Sequence, residues 1–192
     1  MIEAELKARV TDPGAPRARL GRLAAGEAST YQDTYYDRPG RELTSQGREL
    51  RLRVIETGGV RRALVTYKDP PADAASGSKP EFETGVADAM VADVILRAIG
   101  LEHLIAFDKH CVNYRFTARG REMLATVVTV PEIDGVFIEL ETMADEPGLA
   151  TALADIRAVL GELGISERDL TTEAYTDAVT RARTRTRHDA RQ

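Results

Sequence analysis

From position 2 to 10 apolar and charged residues alternate without a break: Ile2, Ala4, Leu6, Ala8 and Val10 against Glu3, Glu5, Lys7 and Arg9. A period of two predicts a strand with one apolar and one charged face. Asp12-Pro13 reads as an N-cap and first-turn proline, opening a helix that carries Leu20, Leu23 and Ala24 to about Gly26. Strand formers fill 29–37, and a polar loop with Pro39-Gly40 and Gln46-Gly47 follows. Two runs, 49–56 and 60–68, flank Gly58-Gly59, a hairpin signal. Residues 69–79 read as a flexible loop and about 80–86 as a short strand. Met90, Val91, Val94, Ile95 and Ile99 recur at helical spacing and Gly100 stops them, which predicts a helix with its apolar stripe in the core.

A second hairpin is predicted from 105–117 and 122–130, ended by Pro131. A strand at 136–143 and helices at about 147–163 and 172–185 complete the chain, with the stripe at 149–160 also read as core. About eight strands, mostly joined by hairpins, and four helices define an α+β chain whose strands can close into an antiparallel β-barrel.

The 192 residues suit one domain, read as 1–180 with an Arg-rich tail at 181–192. The net charge is −5, and the tail alone holds Arg181, Arg183, Arg185, Arg187 and Arg191 against Asp189, so the body is more acidic still. That balance argues against a specific nucleic-acid binder and reads the arginines as a solvated, frayed end beyond the last helix. Cys111 is the sole cysteine, which rules out an internal disulfide and a cysteine-based zinc site. With no signal-like apolar stretch at the start and no run near the ~20 residues of a membrane helix, the expectation is a cytoplasmic protein without a membrane partner.

The chemistry lies in charges that share parity within strands. Glu3 and Glu5, Glu81 and Glu83, and Glu139 and Glu141 form three Glu-x-Glu pairs, each placing two carboxylates on one face. Such a cluster suits a hard divalent cation, Mg²⁺ or Mn²⁺. Lys7, Arg51, Arg53, Lys68 and Lys109 supply five cations on neighbouring strands, a site for a polyanion. Like charges in pairs cost energy unless a counter-charge sits opposite. Lysine is also scarce: of four, against 22 arginines, three (Lys7, Lys68 and Lys109) fall on these positions. A compact ammonium on a flexible stem suits phosphate. Divalent metal with Lys and Arg is how proteins hold a triphosphate and neutralise charge developed in phosphoryl transfer.

These elements together resemble the CYTH superfamily, the triphosphate tunnel metalloenzymes. Glu3-Ala4-Glu5-Leu6-Lys7 is similar to its Glu-x-Glu-x-Lys signature, Leu50-Arg51-Leu52-Arg53 to its Leu-Arg-x-Arg strand and Thr66-Tyr67-Lys68 to its Thr-x-Lys element. Glu81-Phe82-Glu83, Phe137-Ile138-Glu139-Leu140-Glu141 and Thr172-Glu173-Ala174-Tyr175 resemble its later elements, and Asp33-Thr34-Tyr35-Tyr36-Asp37 the form of class IV adenylyl cyclase-like members. The resemblance implies an eight-stranded antiparallel tunnel with its charged faces inward. It implies that Lys7, Arg51, Arg53, Lys68 and Lys109 bind substrate phosphates and carry the catalysis. Glu3, Glu5, Glu139 and Glu141 would hold metal, and Glu81 and Glu83 would ligate a second metal or position basic residues.

The implied activity is metal-dependent conversion of a nucleoside or organic triphosphate, most like ATP to cyclic AMP and pyrophosphate. A thiamine or inorganic triphosphatase is the alternative, and relatives suggest a homodimer. Two positions depart from the family pattern: Cys111 stands where a second basic residue is common, and a threonine, Thr129, where the strand usually carries an Asp. These departures also fit a catalytically impaired polyphosphate or nucleotide-binding module, or an enzyme of a diphosphate ester such as a prenyl diphosphate. Arg115 has the parity to replace the missing cation and His110 does not. Cys111 reads as an inert inward thiol, His103, His110 and His188 as surface residues, and Tyr31, Tyr35 and Tyr36 as core aromatics with the option of stacking on a base.

Overall fold

The computed structural model describes residues 1–189, with the side chains of His188 and Asp189 outside the described set. The last three positions of the expected tail, Arg191 among them, lie outside the described residues. Eight strands close into one antiparallel barrel in the order β1-β5-β4-β3-β2-β6-β7-β8. They are β1 (Ile2–Val10), β2 (Glu27–Asp37), β3 (Glu49–Thr57), β4 (Val60–Lys68), β5 (Lys79–Val86), β6 (Glu102–Ala118), β7 (Arg121–Thr129) and β8 (Val136–Ala144). Five helices flank them: α1 (Gly14–Leu23), α2 (Glu42–Ser45), α3 (Ala89–Ala98), α4 (Leu149–Glu162) and α5 (Tyr175–Asp189). The expected hairpins form, and Gly58 and Gly59 turn the first with φ of 56° and 81°, a conformation that favours glycine at both places. Among the described residues no helix is long and apolar enough to cross a membrane.

The barrel is inverted relative to one with a greasy interior. The apolar row of β1 points outward, with Ala4 and Ala8 fully buried beneath helices. That row joins Val127, Ile138, Leu140 and Phe116, and α4 covers it with Leu153, Ile156, Val159 and Leu160. Alanines at the contact let the helix approach closely, and burial of this layer is the main favourable term for the fold. The opposite row, with every charge singled out by parity, is thereby turned into the lumen. Register sets the rows: Glu5 lies beside Glu141 and Lys7 beside Glu139 between β1 and β8. Lys68 lies beside Glu81 between β4 and β5, and Asp33 beside Arg53 between β2 and β3.

Three local expectations are corrected. The loop after β2 contains the one-turn helix α2, held by Asp37, whose carboxylate accepts from the backbone N–H groups of Arg38, Leu43 and Thr44. The last helix continues through Asp189, and Arg183 on it donates to Glu132 and to the carbonyl of Ala106 instead of standing free in solvent. The stripe of α3 is not core: Met90, Val91, Val94, Ile95 and Ile99 are all more than half exposed. The helix docks by its other side, Ala89, Ala92 and Leu96, onto Leu50, Leu52 and Val65.

Asp93 orients that docking. Its Oδ1 accepts from the Tyr36 hydroxyl at 2.7 Å and lies 2.5 Å from His103 Nε2, while Oδ2 accepts from Arg97. Asp93→Ala is therefore expected to cost about 1–3 kcal/mol, since it leaves the buried Tyr36 hydroxyl unpaired. Hydrogen exchange should accelerate first in the amides of α3; unchanged protection there would show that Asp93 does not hold the helix.

Candidate active site in the barrel lumen

All eleven charged residues singled out by parity line one cavity of about 540 Å³ inside the barrel: Glu3, Glu5, Lys7, Arg51, Arg53, Lys68, Glu81, Glu83, Lys109, Glu139 and Glu141. The lumen is divided into an acidic wall and a basic wall that meet at Lys68. Its ammonium pairs with Glu3 and lies 2.7 Å from Glu81. Burial pushes the Glu3 carboxyl up, but the Lys68 charge more than offsets it and the value falls to about 2.

Glu5 has no such partner. Burial, then the neighbouring Glu139 and Glu3 charges, raise it to about 7. Glu141 is held well above the ordinary carboxylate range by burial and by Glu3, Glu5 and Glu139. Carboxylate oxygens of Glu3, Glu5 and Glu141 all lie within 4.8 Å of one another. Half-buried and crowded, with Lys68 paired to Glu3 and no such partner for Glu5 or Glu141, they fit a hard divalent cation, for which a set of carboxylate oxygens is the expected ligand chemistry. Glu139, grouped with them by sequence, stands between this cluster and the basic wall. Burial raises it, but Lys109 and Lys7 bring it below its ordinary value.

On the basic wall Arg53 makes a two-pronged pair with Asp33, with N···O distances of 2.6 and 2.7 Å. Its guanidinium also lies 4.6 Å from the centre of the Tyr31 ring. Asp33 is fully buried; burial opposes its ionisation, yet Arg53, Arg51 and Lys109 drive its value far below the carboxylate range. Arg51 donates to Thr66, which donates on to Glu83. Lys109 and Lys7 converge on the Tyr175 ring, at 4.1 and 4.6 Å from its centre. Lys7 also donates to the carbonyl of Glu173 at 2.6 Å. Tyr175 stands edge-on to Phe137, so the start of α5 covers this end of the lumen.

Several lumen residues escape a search for paired like charges. Asp33 is a lone acid whose parity with Tyr31 and Tyr35 was the available signal. Lys79 lines the cavity and donates to Glu49, so all four lysines face it. Tyr175 enters from a helix, where strand parity gives no guidance. Of the two departures, Cys111 is inward and buried, with its thiol pushed up to about 12 chiefly by burial. Thr129 is on the other face and lies 3.5 Å from the carbonyl of His110. The inward threonine is Thr126, two residues from Leu124 on the same row, and it donates to Asn113. Arg115 lines the lumen, as its parity required, while His110 is exposed on the outside.

The carboxylate cluster makes stability depend on pH in two directions. Folded Glu3 releases its proton at about 2 against an ordinary value of 4.5, so its contribution is present above 4.5 and lost as pH falls through about 2. Folded Glu5 keeps its proton to about 7, so it destabilises the metal-free protein progressively as pH rises from 4.5 to 7. A divalent cation competes with that proton. Mn²⁺ is expected to raise the melting temperature by several degrees more at pH 8 than at pH 5 in thermal denaturation. An equal shift at both pH values would contradict binding at Glu5.

A closed antiparallel barrel with apolar rows outside and facing acidic and basic walls inside defines a class of lumenal-site proteins. The chain belongs to the CYTH domain family, whose profile matches residues 1–175. It is 29% identical over 183 residues to adenylate cyclase CyaB of Aeromonas hydrophila, covering 91% of this chain and 86% of that protein. It superposes on a candidate adenylate cyclase from Vibrio parahaemolyticus with a TM-score of 0.78 at 26% identity, covering 94% of this chain and 98% of that one. A Hippeastrum protein described as having a dominant triphosphatase activity superposes with a TM-score of 0.65 at 16% identity, covering 94% and 95% of the two chains. At that identity the likeness speaks for the fold.

Proposed function

We propose that the protein is a divalent-metal-dependent enzyme acting on a nucleoside or other organic triphosphate, with ATP cyclisation as the leading reaction. The observation that carries this reading is the gathering of the Glu3, Glu5 and Glu141 cluster with Lys7, Arg51, Arg53, Lys68 and Lys109 in one closed lumen. The likeness to CyaB, a cyclase by name, supports the choice of reaction.

Glu3, Glu5 and Glu141 would hold Mg²⁺ or Mn²⁺, which supplies charge neutralisation at the phosphate undergoing attack. The remaining steps belong to the side chains. Lys7 and Lys109, gathered at the Tyr175 end, hold the terminal phosphates. Arg51 and Arg53 are fixed by Thr66 and Asp33, so their donors are oriented before substrate arrives and cost little reorganisation when charge develops. Lys68, pinned by Glu3 and Glu81, keeps the two walls in register and neutralises part of the acidic cluster. Enclosure by the barrel would limit bulk water and hold the reacting oxygen close to the phosphate, and positioning is the larger part of what such a transfer needs.

Phosphorus NMR of ATP incubated with protein and Mn²⁺ tests this directly. The expected products are pyrophosphate and cyclic AMP, and orthophosphate with ADP would move the reaction to hydrolysis. Unchanged ATP, together with unchanged thiamine triphosphate and tripolyphosphate, would refute the enzymatic reading.

A further inference from the structure

β5 is held along one side only. Its β4 side is paired from Glu81 to Val86. On the other side β1 meets it at Lys79 and Pro80 alone. One further bond, from the Glu81 N–H to the Met1 carbonyl at 3.4 Å, ends that seam. Backbone groups alternate sides along an antiparallel strand, so the N–H and C=O groups of Glu83 and Gly85 point the same way as those of Glu81. Among the described residues no strand lies beside them there, and Phe82, Glu83, Thr84 and Gly85 are all exposed. An open edge of this kind is a place for another strand to add.

Apolar surface adjoins that edge. Phe82 is 58% exposed, and its ring centre lies 6.4 Å from that of Tyr67 on the outer face of the sheet. The same face receives α3 at Leu50 and Val65. α3 follows β5 in the chain and turns Met90, Val91, Val94, Ile95 and Ile99 away from the barrel, with Met90 77% exposed. Asp88 caps the helix and Asp93 pins its inner side, so the stripe is fixed in place. Six apolar side chains of ~150–220 Å² each, all more than half exposed, present on the order of 600 Å². A standard interface buries ~800 Å² on each partner.

We propose that the open edge of β5 and the α3 stripe together form an interface with a second copy of this chain, in which the two β5 edges pair antiparallel about a twofold axis. Both parts of the surface are self-complementary. Each edge offers the same N–H and C=O groups, and a twofold normal to the joined sheet sets both α3 helices on its outer face. The strand edge supplies what the apolar patch lacks of a standard interface. A lipid surface is the poorer occupant: anionic headgroups repel a chain of net charge −5, and an open strand edge finds no partner in hydrocarbon. β5 also carries Glu81 and Glu83 into the lumen, so the partner strand steadies one wall of the cavity.

Sedimentation equilibrium of wild type, Ile95→Lys and Gly85→Pro tests this, together with hydrogen exchange of wild type at several concentrations. Ile95 is exposed, so its replacement spares the core. Gly85 lies outside the left-handed region, and a Cβ there meets nothing nearer than the Ala63 carbonyl at 3.9 Å, so proline removes an edge N–H without a clash. Wild type is expected to be dimeric at about 50 µM, and each variant to weaken association by roughly tenfold or more. In wild type the amides of Glu83 and Gly85 should exchange more slowly as the protein is concentrated, a readout that needs no substitution. A wild type that stays monomeric, a dimer that either variant leaves intact, or exchange at these two amides that is the same at every concentration would overturn the proposal. A monomer that binds phosphatidylcholine vesicles would overturn it in favour of a lipid surface.

Discussion

Glu5→Gln is expected to raise stability and abolish turnover in the same protein. In the metal-free fold burial, and then repulsion from Glu139 and Glu3, raises Glu5 from its ordinary value of 4.5 to about 7. A neutral amide of the same shape removes that repulsion. At pH 8 the gain is on the order of 1–3 kcal/mol, read as an increase of a few degrees in melting temperature. The same substitution deletes one of three carboxylates whose oxygens lie within 4.8 Å of one another, and turnover should fall by roughly 10²–10³-fold. The opposite signs are the informative part. A glutamate kept for structure would lose stability when replaced, and one irrelevant to chemistry would leave turnover intact. At pH 5, where folded Glu5 is already protonated, the stability gain should largely vanish.

Arg53→Ala is expected to produce the largest loss of stability of any single substitution in the lumen. Asp33 has no exposed side-chain surface, and both its oxygens are held by Arg53, with Lys109 3.8 Å away. Removing the guanidinium strands a buried carboxylate, which costs about 3–5 kcal/mol and lowers the melting temperature by roughly 6–20 °C. The double variant Arg53→Ala with Asp33→Asn should recover a large part of the stability and none of the turnover. Recovery would show that the loss came from the orphaned charge, with the guanidinium needed separately for catalysis. A single variant that melts within about 2 °C of wild type would mean that the pair contributes little.

Much of the lumen was legible from parity. Strict alternation in β1 put Glu3, Glu5 and Lys7 on one face, and the same reading of β3, β4, β5, β6 and β8 brought every paired charge into one cavity. Parity does not say which face is inside; the requirement that like charges find counter-charges across a closed sheet did. Where the pattern was ambiguous the reading went astray. α3 is apolar on two sides, and the bulkier side was assigned to the core, whereas Ala89 and Ala92 allow the close approach and the bulky stripe stays out. Thr129 was placed by its motif instead of its phase. Counting in twos from Leu124 gives Thr126 as the inward residue. Asp33 and Tyr175 were missed as site residues for different reasons: one is a single acid without a like-charged neighbour two residues away, the other reaches the lumen from a helix. The arginines of α5 looked unpartnered because Glu132, the partner of Arg183, lies 51 residues away in sequence.

The central claim is that metal and polyphosphate meet between the two walls of the lumen. Mn²⁺-dependent calorimetric binding of tripolyphosphate, compared among wild type, Glu141→Gln and Lys109→Ala, tests it most directly. Wild type should bind only with Mn²⁺ present, Glu141→Gln should lose the Mn²⁺ dependence together with most of the affinity, and Lys109→Ala should weaken binding while keeping the dependence. Tripolyphosphate binding that is unaltered by both substitutions would place the ligand elsewhere and contradict the account.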